Sequence, residues 1–92
     1  FSNVKTLNLE CNGVTAKGAK EIAESPFLTK VEHLNLVDNR VGDEGALAIA
    51  NSDNLSNLNY LHLGGNRVKS EEAKSALKNS SKLTNLEKLK IF

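Results

Sequence analysis

The 92-residue chain carries 39% hydrophobic and 25% charged residues with a formal net charge of +1, a balance that excludes a highly charged disordered chain and fits one folded unit. So small a charge gives no general attraction to phosphate or anionic lipid, so no nucleic acid is expected as a partner. No apolar run approaches the roughly 20 residues of a membrane-spanning helix, so no membrane partner is expected, and Cys11, the only cysteine, excludes an internal disulfide and favours a reducing compartment.

Taken in chain order, the first element is a strand centred on residues 7–9, where Leu7 and Leu9 alternate with polar neighbours. After Val14 the apolar spacing becomes helical. Ala19, Ile22 and Ala23 share one face, which predicts a helix near 16–24 with Thr15 as its N-cap. Leu34 and Leu36 then mark a strand at 34–36, and Ala46, Ile49 and Ala50 a helix near 43–51 with Asp43 as the expected cap. Leu61 and Leu63 predict a strand at 61–63, and Ala73, Ala76 and Leu77 a helix near 70–79 behind Ser70. A last strand is expected at 89–91.

The recurrence is a repeat. "VKTLNLECNGVTAKGAKEIAES" at Val4, "VEHLNLVDNRVGDEGALAIANS" at Val31 and "LNYLHLGGNRVKSEEAKSALKN" at Leu58 align without a gap, and "LEKLKIF" at Leu86 begins a fourth copy. The chain therefore reads as one segment, 1–92, with repeats 4–30, 31–57, 58–85 and a partial 86–92, taken from a longer array. Phe1 falls in phase with Leu28, Leu55 and Leu83, as the last anchor of a copy before it. A strand and helix of this size cannot bury their apolar faces alone, so copies must stack into a parallel sheet backed by helices. Helices are wider than the strand spacing of about 4.8 Å, so the stack should curve with its strands on the concave side.

Asn12, Asn39 and Asn66 recur where the chain leaves each strand. A carboxamide offers donors and an acceptor to backbone groups that have lost their ladder partners, so these three are expected to form a buried structural ladder. Each copy thus reads apolar-x-x-Leu-x-Leu-x-x-Asn-x-Val followed by a helix.

This motif resembles the leucine-rich repeats. The 27 to 28 residue period and the Gly-Ala-x-x-Ile-Ala signature at Gly18–Ala23 and Gly45–Ala50 are similar to the ribonuclease-inhibitor-like subclass. Copy three has Glu72 where Gly18 and Gly45 stand, so the glycine reads as dispensable. The resemblance implies an α/β solenoid and a protein-binding module. It is shared by ribonuclease inhibitors, sensor arms of innate-immune receptors, Ran GTPase-activating proteins and bacterial secreted effectors, so a GTPase-activator-like regulatory domain is the alternative. It also implies a cytoplasmic location, or that of a bacterial protein delivered to a host cytoplasm.

Residues that alternate with the buried leucines face the concave side. They form three rows: Thr6, His33, Tyr60 and Lys88; Asn8, Asn35, His62 and Lys90; Glu10, Val37, Gly64 and Phe92. His33, Asn35, Val37, Tyr60, His62, Lys88 and Lys90 are the expected partner-binding residues, with the two histidines clustered on Tyr60. Asn35 is expected to carry little structural weight there. His33 and His62 lie on different strands and rows and match no spaced ligand motif. Nucleophilic catalysis would need a base held against Cys11 or a serine in a water-excluded site. Neither a metal, a cofactor nor an enzymatic site is therefore expected. The protein partner is unknown, and uncapped apolar ends would allow self-association.

Overall fold

The computed structural model describes residues 3–92, so the expected anchor Phe1 lies outside the described residues. Four short strands, β1 (Thr6–Asn8), β2 (His33–Asn35), β3 (Tyr60–His62) and β4 (Lys88–Lys90), form one parallel sheet in chain order. Its register pairs Thr6, His33, Tyr60 and Lys88 in one row and Leu7, Leu34, Leu61 and Leu89 in the next. The strands end one residue earlier than the alternation suggests, yet the second leucine of each copy still belongs to the ladder: Leu9 N donates to Asn35 O at 2.8 Å and Leu36 N to His62 O at 2.9 Å.

Three helices, α1 (Ala16–Glu24), α2 (Gly42–Ala50) and α3 (Glu71–Lys78), cover the other face. Each turns its small residues inward; Ala19, Ala46 and Ala73 are fully buried. The core runs between the layers through Leu34, Leu36, Leu55, Leu58, Leu61 and Leu63, all without solvent exposure. The result is an α/β leucine-rich solenoid.

Helix starts follow the sequence in two cases of three. Thr15 accepts from Gly18 N at 3.4 Å and Ser70 from Ala73 N at 3.0 Å. Helix α2 differs. It begins at Gly42 with Val41 at its N-cap position and no side-chain cap, and Asp43 sits inside the first turn. There an acidic side chain suits the helix dipole, and the Asp43 carboxylate accepts instead from Lys69 N at 2.7 Å and Ser70 N at 3.0 Å. It satisfies the turn of the next copy rather than its own helix.

The chain leaves each strand through a left-handed residue at one recurring position, Cys11, Asp38 and Gly65, with φ of 58°, 58° and 69°. The asparagine that follows ties the turn down. Asn39 Oδ1 accepts from Asn12 N and Val14 N, both at 2.9 Å, while its Nδ2 donates to Leu9 O and Leu36 O at 2.9 Å and Val37 O at 3.2 Å. Asn66 accepts from Val41 N at 3.1 Å and donates to Leu36 O at 2.7 Å and Gly64 O at 3.1 Å. Both are buried. Asn12 is exposed, and among the described residues its side chain donates to Glu10 O at 3.0 Å.

On the helix side, Ser52 donates to Ala23 O and Ser80 to Ala50 O. These serines recur in phase and tie each helix end to the copy before it. The glycine of the helix signature also has a role. A methyl group at Gly45 would approach Val41 Cγ1 to 2.6 Å, Ala19 Cβ to 3.1 Å and Ala16 Cα to 3.2 Å. Copy three tolerates Glu72 because that residue is exposed, so the glycine is dispensable in α3 but not in α2.

Candidate functional site

The concave rows come from β-strand alternation: with Leu34 and Leu61 fixed in the core, the flanking side chains must leave by the opposite face. Parallel in-register pairing places His33 beside Tyr60 and Asn35 beside His62. The His33 and Tyr60 rings stack with centroids 4.4 Å apart and planes 17° from parallel. The His62 ring meets Tyr60 edge-on at 6.2 Å and 77°, and Lys90 Nζ lies 6.0 Å from the Tyr60 ring centre. Tyr60 is the centre of this group and is half-buried.

The other expected residues divide by exposure. Lys88, Lys90 and His33 are exposed, whereas Asn35, Val37 and His62 are half-buried. Asn35 is more engaged than its place on an open face suggests. Its Oδ1 accepts from Val37 N at 2.9 Å and its Nδ2 donates to Glu10 Oε1 at 3.3 Å, so it ties its own turn to the neighbouring copy. Gly64, in the third row, is buried and lies close against the His62 ring.

Two shallow hollows flank the stacked rings. One, of about 240 Å³, is lined by Thr6, Leu7, Asn8, His33, Asn35 and Tyr60; the other, of about 280 Å³, by His33, Asn59, Tyr60, Glu87 and Lys88. Both fall short of the roughly 300 Å³ at which small-molecule sites begin. Asn59 and Glu87 were not legible as lining residues, because alternation gives them the same side as Leu61 and Leu89, while the chain entering the strand is still turning.

Near the other edge, Glu10, Cys11 and Asp38 bring candidate ligand atoms within 4.8 Å of one another, all three residues exposed. Desolvation, then the charges of Asp38 and Glu10, push the Cys11 thiol above its ordinary pKa. That disfavours the thiolate a nucleophile or a soft-metal ligand requires.

A family model described as leucine-rich repeat matches residues 2–23 and 27–50, together half of the chain. No curated protein matches it.

Proposed function

The chain belongs to the leucine-rich repeat family, and on that premise we propose that it binds a protein partner through the concave face of its sheet. Domains of this family are commonly protein-interaction modules and are generally not enzymes. The observation that carries the reading is the Tyr60 cluster. A half-buried tyrosine held between two imidazoles on a rigid sheet loses little side-chain freedom on binding and presents a large amphipathic area, which is the profile of an interface anchor. The alternating residues of such a face vary from copy to copy while the leucines do not, so specificity resides in Thr6, His33, Tyr60 and Lys88 and in the row beside them.

Placement in the ribonuclease-inhibitor-like subclass is part of the proposal. It is supported by a full α-helix of eight or nine residues in each complete copy. A cytoplasmic setting is supported by the exposed free thiol of Cys11.

A photo-reactive residue placed at Tyr60 is expected to trap a defined protein in cells that express the chain. The same residue at Lys20, exposed on α1, should not. Identical trapping from both faces would overturn the reading.

A further inference from the structure

We infer, resting on the concave-face reading, that the C-terminal end of this surface seats a carboxylate side chain from an acidic segment of the partner protein. The molecule contains its own template for that contact. In each copy the second concave residue folds back to accept the backbone N–H two residues on: Glu10 N donates to Asn8 Oδ1 at 3.1 Å, Val37 N to Asn35 Oδ1 at 2.9 Å, and Gly64 N to His62 Nδ1 at 3.1 Å. In copy two the free end of the same side chain, Asn35 Nδ2, then donates across to the Glu10 carboxylate of the neighbouring copy at 3.3 Å.

Copy three keeps the first half of this arrangement and lacks the second. With Nδ1 accepting from Gly64, the ring proton of His62 belongs on Nε2. The residue corresponding to Glu10 is now Val37, which has nothing to accept it. Among the described residues no hydrogen bond is made by His62 Nε2. The ring posture is built in, because a methyl group at Gly64 would come within 2.8 Å of His62 Cε1.

The surrounding charge points the same way. Lys88 and Lys90 are exposed on β4 beside Tyr60 and His62. The ion pairs among the described residues are Glu71–Lys74 and Asp53–Lys82, so neither lysine has one. Three carboxylates bound the region: Glu87 at the hollow beside Lys88, Asp38 lying against Gly65 with its other oxygen toward Cys11 Sγ, and Glu10 at the far end, already held by Asn35. An incoming carboxylate would stand to His62 as Glu10 stands to Asn35, at Val37 on the β2 side, with the Lys90 ammonium reaching toward it past Tyr60 from β4. A protein segment fits better than a nucleic acid. Two lysines make no phosphate track, and one face of Tyr60 is already covered by His33, which removes a stacking platform for a base.

The test is an NMR titration with hexaglutamate, with hexaglutamine and a short oligothymidylate as comparisons. Hexaglutamate should shift the backbone amides of residues 60–64 and 88–91, and added salt should weaken it. Lys88→Glu with Lys90→Glu should cost about tenfold or more in affinity, since reversal removes two attractions and adds two repulsions. Val37→Glu should also weaken binding, by giving His62 an internal carboxylate that competes with the probe. Shifts confined to the helices, equal binding of hexaglutamine, or an unaffected Val37→Glu variant would overturn the inference. Tighter binding of the oligothymidylate at the same residues would overturn it in favour of a nucleic acid. Loss of the hexaglutamate effect with Tyr60 trapping intact rejects this inference alone, whereas loss of the trapping rejects the concave-face reading itself.

Discussion

Copies one and two share the same pattern and have different physics. Leu34 and Leu36 are fully buried, while their counterparts Leu7 and Leu9 are only half-buried. Asn39 accepts two and donates three hydrogen bonds from the interior, while Asn12 faces water with one. Gly45 is packed on three sides by Val41, Ala16 and Ala19, while a methyl group at Gly18 would meet only Val14 Cγ1 at 3.1 Å. In a stacked array, burial belongs to the contact between copies rather than to the copy. Among the described residues, those that a neighbouring copy covers are core, and their counterparts in copy one are half-buried.

Paired substitutions at equivalent positions can break that comparison. The largest difference is expected for leucine: Leu34→Ala should cost about 3 to 5 kcal/mol and Leu7→Ala about 1 to 2, because only the former leaves a cavity enclosed on every side. Equal shifts in urea midpoint would show that copy one is as well enclosed as copy two. Asn39→Ala should come next, at about 2 to 3 kcal/mol, since turn amides and carbonyls from two copies lose their partner where water cannot replace it, against less than about 1 for Asn12→Ala.

Glycine sharpens the comparison by reversing its sign. Gly45→Ala forces a methyl group into the backbone and side chain of α1 and should destabilise by about 1 to 3 kcal/mol. Gly18→Ala should be near neutral or stabilising by up to about 1 kcal/mol, since alanine is the better helix former and only one methyl must yield. Thermal melts of the two variants moving together would contradict the close approach at Gly45.

The smallest expected effect separates the two junctions. Asp43 joins copies two and three through Ser70 N and Lys69 N, and these two bonds, in that order, hold its carboxyl below the ordinary carboxylate pKa. The equivalent residue of copy one is Ala16, and that junction relies on backbone pairing between Thr15 and Arg40. A depressed folded-state pKa contributes stability that is present above the unfolded value of about 3.9 and is lost as pH falls through the folded value. Acidification should therefore move the Lys69 and Ser70 amide resonances, with a midpoint below that of a free aspartate, and leave Arg40 unchanged. A midpoint at or above the free value would remove Asp43 as a pin.

Much of the fold is legible in the sequence, because the period-2 and helical spacings of leucine and alanine state which side of each element must leave water. From these follow the parallel strands, the helix layer and the sheet rows that carry His33, Tyr60 and Lys88. Thr15 and Ser70 are legible as caps for a similar reason, since a cap acts within four residues of itself. Asp43 is not. Its partners are 26 and 27 residues away, and only the stacked register brings them to its carboxylate. The same holds for Asn35, whose bond to Glu10 spans 25 residues, and for Ser52, which reaches the end of the helix before it. The tilt of His62 over Gly64 belongs to this second class. A repeat pattern determines what each copy must bury, whereas hydrogen bonds between copies depend on distances that exist only once neighbours are stacked.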